Sequence, residues 1–341
     1  MNVFWAPSGE LPKEASTPEE IARFVVEAAV HAPSVNNTQP WWFSSGDREI
    51  SVHADVERRL KVADPDGREM MISCGAAVFT TRVALRYLGF VPKVRVLPDP
   101  DLPNLIGRIG YGSDQTPPVE YERQLFAEIP RRRSHRGGFD AEPLPDGLLP
   151  ALRDEASREG ATLRVMGEDG QRSALAAVVE AADWALRLDP ARVKEGGKWA
   201  PPPGSPRRDG VPATAYPARP ERTEPSFPAR DFAHGHGWGL PPAAGQGNVP
   251  RSAGLVTVLT TAADTPADWV NAGQALQRVL LLASSCGISA ALHSQPLEIS
   301  QLRDFIAVTL CEGAYPQMIA RFGTTGQASV SVRRRVDEVL L

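Results

Sequence analysis

The sequence predicts an α+β fold made of two copies of one unit, with a long Pro/Gly-rich segment inserted into the second copy. Three observations predict it. Amphipathic helices and short apolar strands alternate along most of the 341 residues. A shift of 198 positions lays residues 72–98 over 270–296: Gly75 meets Gly273, Ala77 meets Ala275, Gly89 meets Gly287 and Pro98 meets Pro296. Ile72/Val270, Val78/Leu276, Val83/Leu281 and Val94/Leu292 stay apolar across the same shift. Four identities are few, but both copies also carry a helix and then a strand upstream. Third, residues 201–250 hold 12 of the 32 prolines and 7 glycines, a density at which no regular element survives. The halves are expected at 1–120 and 121–341, with the insertion at about 194–252.

The first helix opens at Thr17-Pro18-Glu19-Glu20. A Thr N-cap, Pro at the first helical position and a carboxylate three residues on make a capping box. Ile21, Phe24, Val25 and Ala28 recur at helical spacing, and Pro33 ends the run because it lacks an N–H and crowds the preceding turn. Residues 33–41 are a loop by composition. Strands are expected at 42–43 and 50–53, and a helix over 71–88 ended by Gly89. The segment 131–139, RRRSHRGGF, is a basic loop. A helix at 148–157, a strand at 162–165 and an Ala/Leu-rich helix at 173–188 follow. Beyond the proline-rich segment come a β-branched strand at 255–260 and an apolar helix at 269–285, ended by Gly287. The tail 333–341 joins three arginines to an apolar end.

Composition excludes several classes. With 42% hydrophobic and 23% charged residues the chain is not largely disordered. A net charge of −4 and a pI near 5.9 leave no electrostatic footprint for nucleic acid or an acidic membrane. Arginine outnumbers lysine 32 to 5, which a GC-rich genome would explain globally. Cys74, Cys286 and Cys311 are too few and too scattered for a disulfide framework or a zinc site. There is no basic start followed by an apolar core, and no apolar run near the roughly 18 residues of a membrane span. The expectation is a soluble, reduced, cytoplasmic protein. Residues 107–112 lack the spacing of a dinucleotide fingerprint, and His234 and His236 have no ligand partner at a standard metal spacing.

Two segments carry candidate chemistry. In residues 33–41, Asn37 and Gln39 offer amides, Ser34 a hydroxyl and Trp41 an aromatic plane, on a backbone stiffened by Pro33 and Pro40. That set suits a planar heterocycle, and equally a helix-ending turn before a core tryptophan. In the basic loop, Arg132, Ser134 and Arg136 alternate, so an extended segment points all three to one side. Two guanidinium forks and a hydroxyl make a dianionic phosphate site, with Arg333 and Arg334 available to complete it; the competing reading is a solvated charge run. Glu298, after Pro296 and Leu297, is a polar contact at a strand-to-helix junction. His293 is a core or site-lining residue.

The three segments 32–41 (APSVNNTQPW), 131–136 (RRRSHR) and 333–339 (RRRVDEV), in this order, resemble the nitroreductase-like flavoprotein superfamily and most closely its Acg-type branch. The resemblance spans nearly the whole chain. It implies a nitroreductase-like fold, folded here as a single-chain pseudo-dimer, monomeric or homodimeric, with one FMN per chain. It implies that Arg132, Ser134, Arg136, Arg333 and Arg334 hold the phosphate and ribityl region. Ser34, Asn37 and Gln39, with the Pro33 and Val35 backbone, would border the isoalloxazine, and Pro296, Leu297 and Glu298 would approach its N5 side. The activity implied is ping-pong transfer of electrons from NAD(P)H through FMN to nitro- or quinone-type acceptors. The insertion would act as a lid, ordered by Tyr216, Phe227, Phe232 and Trp238; the alternative for its composition is a disordered surface loop. A closed lid gives the alternative function, an FMN-sequestering protein without turnover.

Overall fold

The computed structural model describes residues 17–217, 221–230, 251–326 and 331–341. In chain order the elements are α1 (Pro18–Ala29), β1 (Trp41–Gly46), β2 (Glu49–Ala54), α2 (Arg68–Tyr87), β3 (Phe90–Val96), β4 (Leu105–Gln115) and α3 (Glu120–Glu128). There follow α4 (Leu148–Ser157), β5 (Thr162–Val165), α5 (Asp169–Leu188), α6 (Pro190–Gly197), β6 (Thr223–Glu224), β7 (Arg251–Ser252), β8 (Leu255–Thr261), α7 (Pro266–Ser285), β9 (Ser289–His293), α8 (Ser300–Leu310) and β10 (Tyr315–Gly323). The expected α+β class holds. The Thr17 capping box forms as the sequence predicts, with Thr17 Oγ1 accepting from Glu20 N and Glu20 accepting from Thr17 N. Gly89 and Gly287 end α2 and α7 at φ of 90° and 74°, values that suit glycine.

Two antiparallel four-stranded sheets result, ordered β1-β2-β4-β3 and β5-β8-β10-β9. Taken in chain order within each sheet, the strands occupy the same places. Helices α2 and α7 pack on each other between the sheets. Each is buried along most of its length because its residues are small or apolar on nearly every side. Two glycines permit the crossing. A Cβ on Gly75 would stand 2.1 Å from the Val270 carbonyl oxygen, and one on Gly273 would stand 2.0 Å from that of Ile72. The two contacts exchange under the 198-residue shift, since Ile72 maps to Val270 and Gly75 to Gly273.

The core around Trp41, Phe43, Phe79 and Ile109 lies between α1, α2 and the first sheet. A second joins Leu152, Leu276 and Phe322 under α4 and α7, and a third joins Leu175, Val179, Ile306 and Ile319 under α5 and α8. Both sheets receive extra backbone at an edge. The chain end lies along β1, with Phe43 N donating to Val339 O at 2.6 Å and Leu341 N to Phe43 O at 2.9 Å. Ser134 bridges Ala290 on β9, with His135 N donating to Ala290 O at 2.7 Å.

A two-residue turn joins β1 to β2, whereas β5 and β8 pair across residues 166–254. That span contains α5 and α6 as well as the proline-rich stretch. Within it Val211, Ala215 and Phe227 are buried, so these described parts are packed onto the body. Phe232, Trp238, His234 and His236 lie outside the described residues. No described helix is long and apolar enough to cross a membrane.

Candidate functional site

Three backbone positions after α1, Asn36, Asn37 and Gln39, take φ of 48°, 52° and 50°. Asparagine tolerates this left-handed region better than most side chains, and a cluster of three requires support from outside. Ser34 Oγ accepts from Gln39 N at 2.9 Å. Ser73, on α2, accepts from Val35 N at 3.1 Å and donates to Glu69 O at 2.7 Å. The Asn37 amide donates to Gly210 O at 2.8 Å and to Val332 O at 3.1 Å, while its oxygen accepts from Arg333 Nη1 at 3.0 Å. Gln39 donates to Arg208 O at 2.8 Å and accepts from Arg334 N at 2.8 Å. These two amides therefore fasten the inserted segment and the chain end to the loop.

Several arginines gather beside this loop. Ser134 is extended against β9, and Arg132 and Arg136 flank it. Arg132 donates from Nη2 to His31 O at 3.3 Å, and Arg333 donates from Nη2 to the same carbonyl at 3.2 Å. Arg132 Nε and Nη1 and Arg333 Nε are buried with no partner among the described residues. Burial, followed by the charges of Arg133 and Arg136, pushes the Arg132 guanidinium down to about 9. Burial and the same neighbours, with Arg132, hold Arg333 well below its usual range. Burial also lowers Arg133 and Arg136, the latter opposed by Tyr216, whose ring lies 5.5 Å from its guanidinium carbon. Beside them, burial and then Arg333, Arg133 and Arg132 push the His31 imidazole down to about 3. Among the described residues, the neighbouring charges felt by Arg132 and Arg333 are positive. Buried cations so grouped are better stabilised when an anion joins them.

A cleft enclosing about 920 Å³, its mouth included, opens beside this cluster. Pro33, Ser34 and Val35 form one rim, and Ser134 and Arg136 another. Ile72, Ala76 and Leu276, from the crossing helices, supply an apolar wall. The inserted segment adds Val211, Tyr216, Ala229 and Arg230. At the far side Arg321 is 1% exposed between the rings of Phe139 and Phe227, at 5.3 and 5.1 Å. It donates to His293 Nε2 at 2.9 Å, Ala253 O at 2.9 Å and Gly137 O at 3.2 Å. Burial pushes it down to about 9 and, with the Arg321 charge, holds His293 neutral well below its usual range.

The expected site residues thus fall into groups. Pro33, Ser34, Val35, Ser134 and Arg136 line the cleft; Arg132 and Arg333 stand in the cationic cluster that Arg136 joins to it. Asn37 and Gln39 have their amides engaged by protein. Arg334 caps the loop from outside, donating from Nη1 to Gln39 O and Trp41 O at 3.3 and 3.2 Å. Pro296 and Leu297 are buried in the turn between β9 and α8. Glu298 is paired with Arg192 at 3.2 Å and with Arg230, on the wall of a second cavity of about 510 Å³. Sequence reading did not single out His31, Arg133, Glu69, Gln295 or Arg321. Arg321 gave one signal, a lone charge in the otherwise apolar strand 318–322.

No family model matches the chain. A Mycobacterium tuberculosis protein named a candidate NAD(P)H nitroreductase, Rv3131, is 34% identical over 309 residues, covering 89% of this chain and 85% of its own. The chain belongs to the nitroreductase-like family. It is also Acg-like: the M. tuberculosis candidate NAD(P)H nitroreductase acg is 26% identical over 327 residues, covering 94% of this chain and 95% of its own. Among solved structures, a nitroreductase with bound FMN from Desulfitobacterium hafniense is 16% identical, with a TM-score of 0.37 over 63% of this chain and 96% of that one.

Proposed function

We propose that this nitroreductase-like protein is an FMN-dependent oxidoreductase passing electrons from NAD(P)H to nitro- or quinone-type acceptors. The observation that carries the reading is the buried arginine cluster without a carboxylate at one end of an apolar-walled cleft. The fit is chemical. The partnerless nitrogens of Arg132 and Arg333 suit a phosphate, and the wall of Ile72, Ala76 and Leu276 suits a flat ring. Arg132, Arg136, Arg333 and the Ser134 hydroxyl would hold the phosphate end. Ser34 and the Pro33 and Val35 backbone would border the ring. Bound FMN would supply a carrier that takes hydride from NAD(P)H and gives electrons to an acceptor in a ping-pong cycle. Around it Val211, Tyr216 and Ala229 exclude water, while Arg321 and His293 keep a fixed dipolar edge on the opposite wall.

We also read the two halves, divided near residue 120, as copies of one unit. The shared strand order and the exchanged contacts of Gly75 and Gly273 support this. On that reading the mirror position is closed. The turn after α4 brings Glu159 to Arg82 at 2.7 Å and to Arg278 at 2.9 Å, so these arginines are already neutralised. One FMN per chain follows, with no partner subunit needed.

Titrating cofactor-free protein with FMN tests the binding; saturation at one per chain is expected, and no binding refutes it. Anaerobic mixing with NADPH and with NADH then separates turnover from storage. The second reading, FMN sequestration, is favoured by the inserted segment over the cleft, latched through Asn37–Gly210 and Arg230–Glu298. Bleaching of the flavin by a nicotinamide supports the oxidoreductase; bleaching by dithionite alone supports sequestration.

A further inference from the structure

Glu69 lies in the first turn of α2, under the Ser34–Val35 rim, and its backbone carbonyl accepts the Ser73 hydroxyl that holds Val35 N. Its side chain lines the cleft and the residue is 3% exposed. Oε1 accepts from Arg68 Nη2 at 3.1 Å; Oε2 is buried and meets no donor. An ionised Oε2 would lie desolvated with no donor of its own among the described residues, Arg68 reaching only the other oxygen. Charged and titratable groups face it from every side: Asp64 and Arg68 beside it, Glu298 from the turn before α8, Arg230 from the inserted segment, and His293 and Arg321 across the cleft. Burial first, and then Glu298 and Asp64, raise the carboxyl well above its ordinary range against the opposition of Arg68 and Arg230. Arg68 divides its guanidinium between Glu69 Oε1 and the Gln317 carbonyl, at 3.1 and 3.0 Å, and Arg230 is paired with Glu298.

We propose that Glu69 is a catalytic acid whose Oε2 delivers a proton to the oxygen of a carbonyl- or quinone-type acceptor bound in the cleft. This rests on the oxidoreductase reading. The balance requires such a group: a quinone, NAD(P)H and one proton give a hydroquinone and NAD(P)⁺. NAD(P)H contributes two electrons and one hydrogen nucleus as hydride. The second oxygen-bound proton must come from an acid. The O–H bond on Glu69 breaks, the O–H bond on the acceptor forms, and water reprotonates the carboxylate. The second cavity, which shares Asn36 and Arg230 with the cleft and has Glu298 on its wall, is the route from solvent. Among the described residues lining the cleft no other group fills the role. His293 and His135 are held neutral by burial, and Tyr216 donates its hydroxyl to Arg230 O at 2.7 Å.

The test uses the full chain and E69Q, which keeps shape and loses the acid. Infrared spectra of cofactor-free protein at neutral pH are expected to show a protonated-carboxyl band that E69Q lacks. With FMN bound, E69Q is expected to match wild type in stoichiometry and in bleaching by NAD(P)H, and to reduce benzoquinone about 10²-fold more slowly. E69D, which retains an acid, is expected to recover part of the rate, and it carries the test if E69Q fails to fold. A wild-type rate of quinone reduction in E69Q, or no band lost on substitution, overturns the proposal. Wild-type protein that takes up no FMN overturns the oxidoreductase reading, and the acid role falls with it.

Discussion

Replacing Arg132 with methionine should stabilise the ligand-free protein and destroy its grip on FMN. The residue is 4% exposed and its guanidinium is pushed from its ordinary range down to about 9 by burial and by Arg133 and Arg136. That difference corresponds to roughly 4–5 kcal/mol of disfavour for the charged form in the folded chain. Methionine keeps the aliphatic stem and gives up one hydrogen bond, to His31 O at 3.3 Å. Exchange of a buried charge for an apolar side chain of similar volume gains about 1–4 kcal/mol where the charge lacks a good partner, so the ligand-free melting temperature should rise by a few degrees. Binding should move the other way. Nε and Nη1 have no partner among the described residues, and two charge-assisted bonds at about 1.5–3 kcal/mol each amount to 10²–10⁴-fold in FMN affinity. Thermal melts with and without FMN, paired with fluorescence titration, measure both. A lower ligand-free melting temperature with unchanged FMN affinity would refute the reasoning, because Arg132 would then be a structural residue.

Three further outcomes follow from the geometry. His31, held neutral down to about pH 3 while its unfolded counterpart protonates near 6.5, makes the unfolded state bind more protons in that window. Ligand-free stability should therefore fall as pH drops from 6.5 towards 3, by up to about 4–5 kcal/mol, and urea midpoints of His31→Asn should show a shallower decline. Gly273→Ala puts a methyl 2.0 Å from the Ile72 carbonyl oxygen, a backbone atom that cannot swing away; a loss of about 1–3 kcal/mol is expected by denaturant titration, and an unchanged midpoint would show that the helices slide freely. Glu159→Gln removes the carboxylate that Arg82 and Arg278 share. It should lower stability by about 1.5–3 kcal/mol, opposite in sign to Arg132→Met in the same melting assay.

Local signals carried much of the fold. The Thr17 capping box, the glycines that end α2 and α7, and the alternation in β5 and β8 each rest on neighbouring residues, so each was legible. Strand β4 was not, because three glycines interrupt its apolar alternation and its partner β2 lies far away in sequence. Helix α6 escaped for a related reason, since it contains no buried residue; α8, which buries only Ile306 and Leu310, was expected only as the helix following the Glu298 junction, without bounds. At the site, the arginine alternation at 132–136 was legible and the tertiary use of Asn37 and Gln39 was not. Their partners Gly210, Arg208, Val332 and Arg334 come from segments more than 160 residues away. Composition marks an amide as able to bind something; only the fold says whether a ligand or the protein itself takes it.

The two arginine groups make the same point about charge. Arg82 and Arg278 flank the Phe79 ring at 5.3 and 4.9 Å and share Glu159, while Arg278 also reaches Glu155 at 2.6 Å. Arg132, Arg133, Arg136 and Arg333 gather after α1 as those two do after α4, with carbonyl oxygens and an aromatic ring as their company. In a chain with net charge −4 a carboxylate is not scarce. Its presence at one position, and its absence among the described residues at the other, separate a group that completes itself from one that, on the proposed reading, an external anion completes. The arginine excess that genome composition explains across the chain therefore has two meanings locally. The residue type alone does not distinguish them; the neighbouring acid does.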